Sequence, residues 1–296
     1  MKERLHIFYF STLAIFWGGS FLAIHYVVDA LPPTFGALLR VATALVAVST
    51  LMLFTKTAKI PLNIKLQAMG AGVLDMGASW IFLFYGEKFV SPALASIYNS
   101  SSTIFAALFA PLILAHTSLN RKNVLGVLIG FAGILAVFGP HISKEDISQV
   151  QGQLCIIGMA VCYGAGVTWL KRFSHSIRAT SNLFYQGLGA FIVLAIYSSI
   201  FESPWRIDFA SVPMSAWWSV LYLGICSTFI AWLMFIRLIR DRGSVQATSV
   251  TYALPIVSII LDIIFLGRLV RLTDIVGTFI ILAGVWLIQK RYKGRI

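Results

Sequence analysis

Ten apolar segments divide the chain, and each is long enough to cross a lipid bilayer as a helix. A hydrocarbon core of roughly 30 Å needs about 20 residues in helical form. Strands of a membrane barrel would be shorter and would alternate apolar with polar residues. The chain is therefore predicted to be an all-α membrane protein with ten transmembrane helices, near residues 6–28, 33–55, 66–85, 92–115, 124–139, 152–170, 181–201, 214–236, 244–266 and 272–289.

The charged residues are few and unevenly placed. Only 11% of the 296 residues are charged and the mean hydropathy is +0.86, whereas about 25% of a soluble protein is charged. If the N-terminus is cytoplasmic, the inner segments carry seventeen Lys and Arg and the outer turns carry five. Such a positive-inside bias predicts that both termini are cytoplasmic. The net charge of +12 thus reflects membrane topology, and no nucleic-acid partner is expected.

The second half of the chain repeats the first. Gly126 and Gly133 recur as Gly277 and Gly284 at an offset of about 151 residues. Further matches join Ser91, Ala95 and Ser96 to Ser244, Thr248 and Ser249, Trp17 to Tyr163, and Arg40 to Gln186. The pattern predicts a first five-helix repeat at 1–140, an external linker at 141–151 and a second repeat at 152–296. Because each repeat has an odd number of spans, the two should be inverted about a pseudo-two-fold axis in the membrane plane.

Arg40, Asp75 and Asp262 are charged side chains inside predicted spans. Arg40 lies about seven residues, or roughly 10 Å, from the outer surface. A guanidinium at that depth costs about 2.5–3.5 kcal/mol unless it is paired or faces water. Asp75 and Asp262 are the candidate partners, and a substrate carboxylate is the third. The sequence leaves all three possibilities open.

Polar and aromatic side chains mark a candidate pathway between the two repeats. In the ninth span Thr251, Tyr252, Ser258 and Asp262 step by three or four residues around Pro255, which predicts one polar face. Such a face should line a cavity or a neighbouring helix. Few charges and many aromatic rings suit a zwitterionic or amphipathic solute. The predicted substrate pathway comprises Trp17, Arg40, Asp75, Trp80, Tyr98, Asn99, Tyr163, Trp169, Gln186, Thr251, Tyr252, Ser258 and Asp262.

Motifs in both halves suggest a known family. The second half contains Ala253-Leu254-Pro255, Leu266-Gly267, Gly277 and Ala283-Gly284-Val285, and the first contains Trp17-Gly18 and Pro33 through Leu39-Arg40. In this order, and doubled, these motifs resemble the EamA domains of the drug/metabolite transporter superfamily. The resemblance implies a ten-helix carrier for a small metabolite, often an amino acid or related compound and often moved outward.

Two positions depart from that family. Thr117 and Arg268 stand where the family often has a glutamate, so no role of that acid is carried over. Ser102 stands opposite Pro255, where a proline of the fourth helix is expected.

Other classes of function fit the residues less well. No G-x-x-x-x-G-K-[ST] motif is present, so ATP hydrolysis is not expected. Asp75 and Asp262 lie at different predicted depths, whereas two carboxylates that share a proton must nearly touch. No G-x-S-x-G motif occurs, so the protein is not predicted to be an enzyme. The three cysteines all fall in spans, and no disulfide, metal or other cofactor is expected.

The leading prediction is a secondary transporter of the bacterial inner membrane that works by alternating access. Its partners would be a small-molecule substrate and membrane lipid, with a monomer as the simplest state. The alternative is a facilitative channel or uniporter-like pore without ion coupling.

Overall fold

The computed structural model describes residues 2–55, 59–114, 121–142, 147–173, 176–242, 249–268 and 271–289, and this part of the chain is a bundle of ten helices without a strand. Seven helices are long and apolar enough to cross a bilayer, and α5, α9 and α10 are shorter apolar helices. The prediction of an all-α membrane protein with ten apolar helices is confirmed. The helices are α1 Lys2–Ala30, α2 Pro33–Leu53, α3 Leu62–Glu87, α4 Pro92–Ile113, α5 Arg121–Ile142, α6 Ile147–Phe173, α7 Ala179–Phe201, α8 214–242, α9 Leu254–Leu266 and α10 Leu272–Gln289.

Two helix starts differ from the sequence prediction. Helix α6 begins at Ile147, within the segment predicted as an external linker. Helix α9 begins only at Leu254, after a 3₁₀ turn at Ser249–Tyr252, so Pro255 lies in its first turn. A proline there removes no helical hydrogen bond, because the first N–H groups of a helix have no partner within it. Pro255 therefore does not interrupt the hydrogen bonding of α9. Thr117, Ser244 and Thr248 lie outside the described residues.

The two halves pack on each other by matching contacts. Helix α1 packs on α8 and α9, and its counterpart α6 packs on α3 and α4. Helix α2 pairs with α7, and α5 pairs with α10. In the last pair, a β-carbon added at Gly284 would lie 2.6 Å from the carbonyl oxygen of Gly126, and one added at Gly126 would lie 2.8 Å from that of Gly284. Such close backbone approach explains the repeated glycines.

Helices α3 and α8 each contain a π-helical segment, at Val73–Ala78 and Tyr222–Ile230. The Thr228 hydroxyl donates to the carbonyl of Leu223, five residues back, at 2.8 Å. Asp75 lies in the segment of α3. Segments of this kind often occur at functional sites, and here they carry polar groups into the bundle interior.

Helix α4 is interrupted by a turn at Ser101, although it lacks the expected proline. The Ser101 hydroxyl donates to the carbonyl of Tyr98 at 2.6 Å, and the Ser100 hydroxyl to that of Ser96 at 3.2 Å. Serine side chains that bond the preceding turn compete with the helical ladder and bend helices. Both hydroxyls are buried and bond their own helix.

Candidate functional site

Arg40 is buried in the interior of the bundle, with only 6% of its surface exposed. Its Nε donates to the Thr228 hydroxyl at 3.0 Å, and its guanidinium lies over the Trp80 ring, 3.8 Å from the centroid. A desolvated cation–π contact contributes about 2 kcal/mol, comparable with the cost of placing the charge at this depth. These contacts account for an arginine in the membrane interior.

Arg40 pairs with neither of the predicted carboxylates. Both Asp75 oxygens are buried without a hydrogen-bond partner among the described residues. One Asp262 oxygen, Oδ2, accepts from the backbone N–H of Ala93 at 3.3 Å, and the other has no partner in the same part of the chain. The ionisable neighbours of the Arg40 guanidinium are instead Tyr163, Glu87 and Tyr222.

Asp75 lies on the inner side of this cluster. Tyr163 is within electrostatic range of both Asp75 and Arg40. Helix α6 approaches Asp75 closely, since a β-carbon added at Gly166 would lie 2.7 Å from the Asp75 backbone nitrogen. The structure thus brings Arg40, Asp75 and Tyr163 into one region, although Asp75 forms no ion pair with Arg40.

Two other predicted site residues border the same region. The indole N–H of Trp17 donates to the carbonyl of Ser227, in the π segment of α8, at 3.0 Å. Gln186 is fully buried, and a β-carbon added at Gly72 would lie 2.1 Å from its carbonyl oxygen. Neither end of the Gln186 side-chain amide has a partner among the residues that the structure covers.

A larger polar cavity of about 460 Å³ lies where α3 ends and α4 begins. This is the end that the charge distribution predicts to be external, and it is called the outer end below. Glu87 and Asp262 line the cavity at 2% and 1% exposure, while Lys88, Arg268 and Arg271 line it as exposed side chains. Of the predicted site residues, only Asp262 is among those that form its wall.

Glu87 is the residue that sequence reasoning missed. It is buried, both of its carboxylate oxygens lack a partner within the described chain, and its charged neighbours are Arg40 and Asp262. It therefore links the Arg40 cluster to the outer cavity. A signal was available, because Glu87 lies seven residues after Trp80, which places both on one face of α3.

Tyr98 and Asn99 lie on α4 just before its turn at Ser101, and Ser258 lies on α9. The buried Tyr98 hydroxyl donates to the Gln153 side chain on α6 at 2.7 Å. Asn99 is half-buried, and the buried Ser258 hydroxyl has no partner in the part of the chain described. Tyr98 is therefore bound to another helix, and only the two smaller groups stay available to a solute.

Trp169, Thr251 and Tyr252 lie nearer the predicted inner end, apart from the Arg40 cluster. Trp169 follows Tyr163 by six residues, about 9 Å along α6. Its ring packs on α3, because a β-carbon added at Gly70 would lie 2.9 Å from the ring. Thr251 and Tyr252 are half-buried on the 3₁₀ turn before α9. The predicted site thus separates into a central cluster, an outer acid and an inner group.

A small cavity lies on the inner side of Arg40. It has a volume of about 10 Å³ and lies among α2, α3, α7 and α8, lined mainly by apolar side chains including Val41, Val48, Met76 and Leu183. That volume is about the smallest that holds one water molecule. It is thus far smaller than the cavity at the outer end.

The comparisons with known proteins agree with this architecture. The profile of the EamA-like transporter family matches residues 4–139 and 150–289. The uncharacterized transporter YoaV of Bacillus subtilis (strain 168) is 24% identical over 289 residues, covering 93% of this chain and 94% of its own. An uncharacterized transporter of Archaeoglobus fulgidus is 25% identical over 277 residues, covering 93% and 95%.

A third relative and a solved structure extend the likeness. Protein PagO of Salmonella typhimurium is 21% identical over 281 residues, covering 94% of this chain and 90% of its own. A crystal structure with 20% sequence identity superimposes with a TM-score of 0.66, covering 98% of this chain and 99% of that one. At that identity the structure supports the fold alone. Because the family profile matches two stretches that together cover nearly the whole sequence, the chain belongs to the EamA-like transporter family.

Proposed function

We propose that the protein is a secondary transporter that exports a small zwitterionic or amphipathic solute, such as an amino acid, across the bacterial inner membrane. It works as a monomer by alternating access between two inverted repeats, with both termini in the cytoplasm. The repeats correspond to 1–140 and 152–296, joined at the outer surface by 141–151. Membership of a transporter family supports the general function, and the geometry of the interior supports the mechanism.

The observation that carries the proposal is the difference in open space on the two sides of Arg40. The cavity at the outer end has a volume of about 460 Å³, whereas the one towards the inner end has a volume of about 10 Å³. An interior open at one end is what alternating access requires, because a route open at both ends would be a pore. The arrangement corresponds to an outward-facing state.

Arg40 is the group that we expect to meet the solute. Among the described residues its guanidinium has one hydrogen bond, through Nε, and no ion pair. The other N–H groups of a guanidinium can hold a carboxylate in a two-point contact. The aromatic rings of Trp80 and Tyr163 beside it would cover the apolar part of such a solute.

The test is solute exchange in liposomes that contain the purified full-length protein. A thermal-shift screen against amino acids, amines, nucleosides and sugars selects compounds, and each hit is then preloaded into liposomes to measure uptake of its labelled form. A carrier takes up label faster when unlabelled solute is present inside, because its return step is accelerated. Failure of every hit to drive exchange would contradict the proposal.

The same experiment separates a carrier from a pore. A channel or uniporter-like pore would pass label at a rate that internal solute does not accelerate. Arg40→Gln should slow exchange, whereas Arg206→Gln, an exposed arginine at the outer end, should leave it unchanged. Equal rates for both variants would show that Arg40 does not contact the solute.

A further inference from the structure

The outer cavity is polarised, with acids at its base and bases at its mouth. Glu87 and Asp262, the deepest acids, are 2% and 1% exposed and Asp274 is 7% exposed, whereas the Lys88, Arg268 and Arg271 side chains on its wall are exposed. A solute that enters from the outer end therefore meets positive charge first and negative charge at depth.

The two deep carboxylates are short of hydrogen-bond partners. Both oxygens of Glu87 and Oδ1 of Asp262 have none in the described ranges of the chain. Such groups are costly to bury and are normally satisfied by a donor. The one buried base beside them, His25, directs Nε2 towards Asp29 at 3.5 Å. The unsatisfied acceptors therefore lie buried within the wall of the cavity.

One part of the cavity wall is apolar, beside the polar Ser91 and Gln149. Phe89, Val90, Leu94 and Ile97 form this apolar part. An apolar wall beside a few fixed polar groups is the usual composition of a small-molecule site. The wall suits an aliphatic side chain, which a bare inorganic cation does not have.

We propose that this cavity is a second binding site, separate from the Arg40 cluster, for a primary amine that also carries a carboxylate and an aliphatic group. The ammonium binds beside Glu87 and Asp262 and donates to their free oxygens once these two side chains turn towards the cavity. The carboxylate points to the mouth and faces Arg268, and the aliphatic part lies on the wall at Leu94 and Ile97. As an entry or release site of a carrier, this assignment rests on the proposed function.

The test is equilibrium binding to the full-length protein in lipid nanodiscs, measured by calorimetry with three matched compounds. L-leucine has both charged groups, 3-methylbutylamine lacks the carboxylate, and 4-methylpentanoate lacks the amine. We expect L-leucine to bind most tightly and 4-methylpentanoate at least about tenfold more weakly, since a charge-assisted hydrogen bond is lost. Binding of the acid as tightly as the amine would overturn the assignment.

Three variants locate the site. Glu87→Gln should raise the Kd of both L-leucine and the amine by about tenfold, and Asp262→Asn is the second variant if the first does not fold. Arg268→Gln should raise the Kd of L-leucine alone, by about threefold, because its charge is exposed and screened. Asp208→Asn, an exposed acid at the outer end that does not line the cavity, should change neither value. Unchanged binding in both deep-acid variants would contradict the site.

The binding test of the outer cavity and the transport test in liposomes can fail separately. If the binding pattern is found but no liposome exchange occurs, the site stands and transport of these compounds does not. If exchange occurs while Glu87→Gln binds L-leucine as the unmodified protein does, transport stands and the outer site does not.

Discussion

The two halves of the bundle have polar residues at corresponding core positions, but the side chains at those positions differ in chemistry. Arg40 on α2 corresponds to Gln186 on α7 at an offset of about 146 residues. Asp75 on α3 corresponds to Ser227 on α8, because both lie three residues after a glycine at which the helix meets its neighbour. One half therefore has charged groups where the other has neutral ones.

The backbone supports this correspondence. Gly72 meets the backbone of Gln186, and Gly224 meets that of Arg40, with added β-carbons 2.1 Å and 3.0 Å from the respective carbonyl oxygens. A π segment begins near each glycine. Trp17 reaches Ser227 by a hydrogen bond, and its counterpart Tyr163 lies within electrostatic range of Asp75.

The comparison shows that the duplicated scaffold sets positions and that single substitutions within it set the chemistry. At these two pairs of positions the charge lies in the first half, where Asp75, Arg40 and Glu87 follow one another towards the outer cavity.

The largest expected effect tests the close approach of the two halves. Gly72→Ala would place a β-carbon against the backbone of Gln186, which cannot rotate away, and should lower the free energy of unfolding by about 3 kcal/mol. At Gly224 the nearest atom, 2.4 Å away, is the Thr43 Cβ, which cannot rotate away either, so Gly224→Ala should also cost about 3 kcal/mol. Thermal unfolding in detergent measures both.

The matched control for these glycines is Gly139→Ala on α5. No atom lies within 4 Å of a β-carbon there, so stability should be unchanged or slightly higher, given the better helix propensity of alanine. Equal losses of stability in Gly72→Ala and Gly139→Ala would show that close packing between the halves does not require the glycine at 72.

Arg40→Gln makes the first half resemble the second. Loss of a charge-assisted contact with the solute should slow exchange by about 10- to 100-fold. Because Gln is the residue at the corresponding position of α7, the fold should be retained, which size-exclusion chromatography checks. If exchange is normal in this variant, charge asymmetry at this position has no part in transport.

Glu202 tests a second difference between the halves, at the start of α2 and α7. Its two carboxylate oxygens accept from the backbone N–H groups of Thr34 and Phe35, both at 2.8 Å, at the N-terminus of α2. Helix α7 begins after Arg178 with no side-chain cap hydrogen bond. Glu202→Ala should lower the free energy of unfolding by about 1–2 kcal/mol through loss of this cap.

The control for Glu202 is Asp208→Ala. Asp208 is exposed in the loop that follows and should change stability by less than about 0.5 kcal/mol. If both variants melt at the temperature of the unmodified protein, the contact does not hold α7 to α2.

The sequence was sufficient for the parts of the fold that local hydropathy determines. The ten apolar helices and the depth of Arg40 follow from segment length and position, because lipid requires long apolar segments. The repeated glycines of α5 and α10 also proved to be packing positions, since small residues permit close approach.

Contacts between distant residues could not be derived in this way. Thr228 binds Arg40 because a π segment turns it inward, and the apolar sequence around it gives no sign of that irregularity. Glu87 lies just beyond a predicted span, where acids normally face water, and the outer cavity was missed with it. Hydropathy locates a helix end to within a few residues, which is too coarse to separate a loop acid from a buried one.

The smallest expected effect on stability is that of Asp75→Asn. A buried carboxylate without a partner is costly, and a neutral side chain of the same shape removes that cost without altering the close contact with Gly166. The free energy of unfolding should stay the same or rise by up to about 1 kcal/mol.

Ser227→Ala, at the corresponding buried position of α8, should be equally neutral because its hydroxyl has no partner in the described chain. A loss of more than about 2 kcal/mol in Asp75→Asn would identify a structural ion pair. Unchanged stability with altered exchange would mean that the carboxyl is kept for transport, as the charge asymmetry implies.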